Sequence, residues 1–296
     1  MNSVALCVFS KGKPERTWTA EWLKTAMIIN CAKSVFYVVS DDDDVKTYRK
    51  TTGCNVVVAK GAHNLGSKRR WAIENLTSAK TPWLLFMEDN IHRVTCVDSD
   101  NYDRFFIDKT TRGMFHDTEL SFDQAVRKAY DDIQWCNRVG IGFGGFASND
   151  NHFFRKTKYR HSSFVWSKLA YVRRGGPDWP DQVQEKDDYV YTGLALEYYG
   201  AVLVNNFIYP WPKKEVRGSS RSLEDRAEDR RHAVQYLLER FPDMFRVKER
   251  AGHPSGTEVQ LRFTSPVQVK KWREKMGRDK TGPTSFTDRT GVMYSM

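Results

Sequence analysis

Over its first ninety residues the chain alternates short apolar runs with polar or amphipathic stretches, and this alternation restricts the fold more than any other feature. Val4–Phe9, Val35–Val39, Asn55–Ala59 and Trp83–Met87 are strand-length and nearly uniformly apolar. Strands of that kind need cover on both faces, and the intervening stretches, Glu15 to about Asn30, Val45–Lys50 and Ser67–Ser78, read as the helices that supply it. A βαβαβαβ order predicts an α/β fold with a Rossmann-like, mostly parallel central sheet flanked by helices, and ligands at the carboxyl ends of the strands. Chemistry is therefore expected in the loops after those strands: Ser10-Lys11-Gly12-Lys13, Ser40 with Asp41 to Asp44, Lys60 to Gly66, and Glu88-Asp89-Asn90.

Further along, Ile91 to Leu120 is irregular and polar. Phe122–Trp135 reads as a helix, Val139–Phe143 as a strand, Ser162–Val172 as a strand pair or one long strand, and Gly175–Pro180 as a turn. Asp187–Tyr199 reads as a helix stopped by Gly200, and Val202–Asn205 as a strand. Leu223–Phe241 is a charged helix, Val259–Phe263 a strand and Pro266–Met276 a basic helix, followed by a tail expected to be mobile.

With 9 Trp, 13 Tyr and 17 Phe, disorder is excluded. No apolar run approaches the roughly 18 residues of a membrane span, so no membrane association is expected. The formal charge of +10 favours a polyanionic partner, nucleic acid or a smaller anion. Five scattered cysteines without a C-x-x-C pair, and an N-terminus lacking a secretion signal, point to the cytoplasm.

The acidic strand end is the most informative segment. Carboxylates closing a buried strand are costly unless they meet a cation, and the oxygen donors of Glu88 and Asp89 suit Mg²⁺ or Mn²⁺ bridging a diphosphate; the plainer alternative is a solvated loop. Asn64 to Trp71, with Gly66, Lys68, Arg69 and Arg70, opens a helix whose free N–H groups and cations face the ligand edge. Ser10, Lys11 and Gly12, with Arg16, form a similar basic loop, and there is no Walker motif. Gly140 to Gly145 lacks the context of a dinucleotide fingerprint and reads as a place where the backbone is closely approached. Glu185, Asp187 and Asp188 open a helix, either favouring its dipole or supplying a general base. Between Asn151 and Pro177 there is no acidic residue, whereas Arg155, Lys156, Lys158, Arg160, Lys168, Arg173 and Arg174 alternate with aromatics, a composition suited to nucleic acid. Arg217, Ser219 and Arg221 make a compact loop able to close on a diphosphate. The histidines show no zinc spacing.

The order of these motifs over roughly residues 4–245 resembles that of GT-A glycosyltransferases and, within them, the TET-associated glycosyltransferases of bacteriophages, related to the base J glucosyltransferase. Phe86-Met87-Glu88-Asp89-Asn90 is the most specific part, supported by Ser10-Lys11-Gly12, by Asn64-Leu65-Gly66 with Arg69, Arg70 and Trp71, and by an acidic cluster before a helix. The resemblance implies a GT-A-like fold with a C-terminal helical extension, a UDP-sugar donor, and Mn²⁺ or Mg²⁺ at the Asp-x-Asp-like site. It also implies transfer to a hydroxymethylated pyrimidine in DNA, 5-hydroxymethylcytosine first, in the host cytoplasm if the protein is phage-encoded. It assigns residues 1–90 to donor binding, 91–245 to the acceptor, and 246–296 to a basic extension. Glu88 and Asp89 would serve ribose and metal with Asn90 beside them, and Ser10, Lys11, Gly12 and Arg69 would cradle the nucleotide. The later family motif, Glu-Asp-x-Asp-aromatic, is broken here by Lys186. Asp188 is the first choice of base, with Asp187 and Glu185 as candidates, and a retaining reaction needs none. A protein or small-molecule acceptor, a nucleotidyltransferase and a non-catalytic DNA-binding module stand as alternatives.

Overall fold

The computed structural model describes residues 4–12, 14–15, 17–26, 34–97, 117–150, 157–181, 183–213, 223–249, 257–277, 285–287 and 293–295. The opening alternation is present as β1 (Val4–Phe9), α1 (Trp18–Leu23), β2 (Val35–Val39), α2 (Val45–Thr52), β3 (Asn55–Val58), α3 (Leu65–Leu76) and β4 (Trp83–Glu88). The four strands are parallel neighbours in the order β3-β2-β1-β4. Helix α1 is shorter than expected: the Thr25 hydroxyl turns back to the Trp22 carbonyl (2.6 Å) and accepts from the Phe122 N–H (3.1 Å), a side-chain bond that competes with helix continuation.

The later elements are β5 (Ile91–Val97), β6 (Asp117–Leu120), α4 (Phe122–Val139), β7 (Phe143–Phe146), β8 (Tyr159–Arg160), β9 (Trp166–Arg173), α5 (Asp187–Tyr199), β10 (Leu203–Asn205) and β11 (Ile208–Pro212). They are followed by α6 (Leu223–Arg240), β12 (Phe245–Glu249), β13 (Thr257–Leu261), α7 (Pro266–Lys275), β14 (Ser285–Thr287) and β15 (Met293–Ser295). Strand β9 inserts antiparallel between β4 and β7, completing an eight-stranded sheet ordered β3-β2-β1-β4-β9-β7-β10-β8. On β1, Leu6 and Val8 face one hydrophobic core while Ala5, Cys7 and Phe9 face the other. The sheet is thus covered on both sides, as its lack of alternation required.

Three departures from expectation have physical causes. The segment Ile91–Leu120, read as irregular, begins and ends in β5 and β6, which join β11 in a separate antiparallel sheet; His92, Arg93 and Thr95 interrupt the apolar pattern of β5 and conceal it. The strand expected over Val139–Phe143 starts only at Phe143, because α4 runs through Val139 and stops at Gly140 in the left-handed region (φ 76°). The extension is not purely helical: the β12–β13 hairpin precedes α7, and Val259, Val269 and Trp272 pack into the second core with Phe241. β14 and β15 pair antiparallel within the expected tail. The Gly140–Gly145 run serves close packing, since a Cβ on Gly142 would lie 2.1 Å from the Tyr199 ring and one on Gly144 2.5 Å from that of Tyr171. Cys7, Cys54, Cys96 and Cys136 are buried free thiols. Among the described residues no helix is long and apolar enough to cross a membrane.

Candidate active site

The carboxyl ends of β1 and β4 are held together by backbone bonds that leave little freedom to the acidic turn. The Asp89 N–H donates to the Phe9 carbonyl (3.2 Å), and the Thr19 N–H donates to that of Asp89 (3.1 Å). The Thr19 hydroxyl donates to the Glu88 carbonyl (2.6 Å) while accepting from the Ile91 N–H (3.1 Å). Ser10, next after β1, donates its hydroxyl to Asp89 Oδ2 at 2.5 Å and contacts the Tyr48 hydroxyl at 2.8 Å. A cleft of about 220 Å³ opens here, lined by Ser10, Lys11, Glu88 and Asp89 together with Asn64, Leu65 and Lys68. The acidic run after β2 shapes its rim. Asp43 bridges the N–H groups of Gly12 (2.6 Å) and Ser40 (2.7 Å), and Gly12, at φ 65°, adopts a backbone that favours glycine.

Helix α3 begins at a reciprocal cap between Asn64 and Ser67. Its three consecutive cations leave the axis about 100° apart and so serve three places. Lys68 Nζ, buried, donates to the Ser10 carbonyl (2.6 Å) beside the cleft, and burial lowers its pKa to about 8. Arg70 turns outward to Asp181. Arg69, only 1% exposed, passes inward over the rings of Phe86 and Trp179, pairs with Asp187, and reaches Glu88 Oε1 at 3.3 Å. The other oxygen of Glu88 is held by Lys168 of β9. One guanidinium therefore ties the end of β4 to the start of α5, across 99 residues of sequence.

At the start of α5 the two aspartates differ sharply. Asp187 is held by Arg69 and by the Trp179 indole N–H (3.1 Å). Among the described residues, the Asp188 carboxylate accepts only the Tyr189 N–H (3.0 Å). Burial first, and then the neighbouring charge of Asp187, push its pKa up to about 7, with Arg69 and Lys186 acting the other way. Lys186, the residue that breaks the expected motif, occupies the N-cap in the left-handed region (φ 62°) with its ammonium 4.8 Å from the Tyr189 ring centroid.

The expected site is thus partly assembled and partly corrected. Ser10, Lys11, Gly12, Glu88, Asp89 and Asn90 share the β1–β4 edge. Gly66 packs rather than cradles, since a Cβ there would lie 2.1 Å from the Pro180 carbonyl oxygen. Arg69 is sealed below the cleft as a positioning group, Arg70 lies with Asp181, and Asp187 is too tightly paired to act as base. Glu185 faces Arg230 at 3.9 Å. Both oxygens of Glu88 are committed to cations, Arg69 and Lys168. Arg173 pairs in register with Trp83, at the amino end of β4 and about 16 Å from Glu88. Arg174 there donates to the Glu74 and Thr77 carbonyls (3.0 and 2.7 Å), so this pair is remote from the site. Lys158 and Arg160 lie on the correct edge but at β8, four strands from β4, roughly 19 Å. Arg16, Arg155, Lys156, Arg217, Ser219 and Arg221 lie outside the described residues. The sequence places Lys168 only within the basic stretch between Asn151 and Pro177, not beside Glu88, and does not distinguish Lys68 from its two neighbours.

A parallel sheet whose first and fourth strands end in a cleft of lysines and carboxylates, with a second acidic motif brought beside it, defines a GT-A-like glycosyltransferase architecture. A family model described as TET-Associated Glycosyltransferase matches residues 4–164, more than half of the chain, and the chain belongs to that family. Among solved structures, S. aureus TarS 1–349 is 13% identical, with 79% of this chain and 65% of that one covered and a TM-score of 0.42. A longer S. aureus TarS chain is 12% identical, with 79% and 39% covered and the same TM-score of 0.42. The chain spans less than two thirds of the length of these TarS chains. Glucosyl-3-phosphoglycerate synthase from Mycobacterium tuberculosis, in complex with Mn²⁺, UDP and phosphoglyceric acid, is 11% identical over 91% of both chains, with a TM-score of 0.43. No curated protein matches the chain in sequence.

Proposed function

We propose that the protein transfers a sugar from a UDP-sugar to the hydroxyl of a hydroxymethylated pyrimidine in DNA, with 5-hydroxymethylcytosine as the first candidate. Family membership supports the reaction class. The observation that carries the reading is the joining of two acidic motifs by Arg69, which brings a cation-compensated strand end together with the half-buried Asp188 carboxyl, whose pKa is pushed up to about 7. Two carboxylates with contrasting surroundings suit one to charge stabilisation and the other to proton transfer.

Among the described residues no cluster of three or more metal-ligating side chains forms. The donor set still fits a hard cation that keeps waters and takes substrate oxygens: Asp89 lines the cleft, and the adjacent Asn90 holds a buried Oδ1 with no hydrogen-bond partner. Asp89, with Asn90, would hold Mn²⁺ or Mg²⁺, which when bound offsets the charge of the departing diphosphate. Lys68 and Lys11, both in the cleft lining, would meet the pyrophosphate, and Ser10 fixes the carboxylate of Asp89. In an inverting reaction Asp188 takes the proton of the acceptor hydroxyl.

Incubating DNA containing 5-hydroxymethylcytosine with the protein, Mn²⁺ and a series of UDP-sugars should give nucleosides heavier by one hexose or pentose on mass spectrometry. No mass gain with any donor would contradict the reading. The remoteness of Arg173 and Arg174 favours one second reading, a protein or small-molecule acceptor. On that reading the enzyme would release UDP with such an acceptor and leave the DNA unmodified.

A further inference from the structure

The small sheet beside the cleft carries an aromatic row that neither core explains. On β11 and β5, Tyr209 is in register with Thr95 and Trp211 with Arg93, so these four share a face. Ile208, Val94 and Cys96, on the opposite face, belong to the first core. Trp166, two residues before Lys168, stacks on Tyr209 (6.0 Å between centroids, 24° between planes). Tyr209 meets Trp211 edge-on (4.9 Å), and the Arg93 guanidinium lies 4.5 Å from the Trp211 ring centroid. The Trp211 indole N–H donates to the Thr95 hydroxyl (3.0 Å), which fixes the ring. Trp166, Tyr209 and Trp211 are absent from both hydrophobic cores. Trp166, Trp211 and Arg93 are part-exposed, and Arg93 Nε is buried without a hydrogen-bond partner.

Large aromatics contribute most when their surface leaves water, so the part-exposed Trp166 and Trp211, backed by the buried Tyr209 and closed by a guanidinium, call for an outside partner. The row starts near Lys168, which holds Glu88, and its Trp211–Arg93 end lies close to the acidic turn, where the Lys213 N–H donates to the Asn90 carbonyl (2.7 Å). Flat rings and an arginine plane are what stack unpaired nucleobases, and a cation at the end of the row meets a phosphate.

We infer that Trp166, Tyr209, Trp211 and Arg93 form the platform on which an unpaired nucleotide of the acceptor strand, next to the one being modified, is stacked. This rests on the DNA-acceptor reading and replaces Arg173 and Arg174 as the acceptor contact. The platform holds the strand and takes no part in bond making.

The test is fluorescence anisotropy of a short labelled single strand containing 5-hydroxymethylcytosine, with thermal melting of each variant and donor hydrolysis without acceptor as the basal activity. Trp211→Ala should weaken binding about tenfold or more and leave donor hydrolysis unchanged, while Trp211→Phe, which keeps a ring, should stay within about threefold of the parent. Arg93→Gln should lower the slope of log affinity against log salt by about 0.7. A folded Trp211→Ala that binds like the parent overturns the platform alone. Should that variant fail to fold, an unchanged salt slope in Arg93→Gln overturns it instead. A parent protein that binds no DNA overturns the platform together with the DNA-acceptor reading.

Discussion

The end of β4 and the start of α5 solve the same problem in the same way, although one closes a parallel strand and the other opens a helix. Each presents two consecutive acids. In each, the first acid is locked by Arg69, with Glu88 reached at 3.3 Å and Asp187 paired directly. The two second acids then diverge. Asp89 is bonded to Ser10 in the cleft lining, whereas Asp188 is half-buried beside another negative charge, with its pKa pushed up to about 7. In the proposed reaction, adjacent acids divide into a structural member and a chemical member, and the environment of the second decides which chemistry it serves.

The largest effect should follow removal of the shared cation. Arg69→Ala leaves Glu88 with Lys168 alone and Asp187 with only an indole N–H, and breaking a buried pair from one side costs about 3–5 kcal/mol. Denaturant unfolding should show that loss together with loss of transfer. A variant as stable as the parent would mean that the two motifs are not joined through Arg69.

Asp188→Asn should sharpen the comparison in two directions. In an inverting reaction it lowers the transfer rate by about 10²–10⁴ while leaving donor affinity unchanged, measured by single-turnover kinetics and calorimetry. It should also alter stability in a pH-dependent way. The Asp188 pKa is raised from 3.8 to about 7, so its contribution to stability is full below about 4 and is lost as pH rises through 7. The melting temperature of the parent should therefore fall relative to that of Asp188→Asn between those limits. Parallel melting curves across that range would contradict its burial. A full transfer rate in the variant would place the reaction in the retaining class.

Lys68→Met should have the smallest effect, raising the KM for the donor about tenfold, the value of a charge-assisted hydrogen bond. Donor affinity of the parent should fall as pH rises through about 8, where buried Lys68 loses its proton. A donor affinity flat across that pH would separate Lys68 from the pyrophosphate.

The two halves of the molecule were unequally legible in the sequence. Strands β1 to β4 are parallel and covered on both faces, so apolar runs and the helices between them betray them locally. The rest of the sheet depends on long-range pairing: β9 enters antiparallel beside β4, and nothing within Trp166–Arg173 indicates its neighbour. That insertion is why Lys168 reaches Glu88 while Arg173, five residues later in the same basic stretch, lies at the far end of the sheet. The acidic turn was readable because carboxylates after a buried strand demand a cation. Which cation was not, since the consecutive residues Lys68, Arg69 and Arg70 point in three directions around α3. The distinct roles of Asp187 and Asp188 were likewise hidden, because only the fold places Arg69 and Trp179 beside the first.

The division of labour between the two motifs is tested most directly by titrating UDP-sugar into the protein with and without Mn²⁺, comparing the parent with Asp89→Asn and Asp188→Asn. The account predicts that Mn²⁺ strengthens donor binding in the parent and in Asp188→Asn but not in Asp89→Asn, with all three folded. Equal Mn²⁺ dependence in Asp89→Asn and the parent would contradict it.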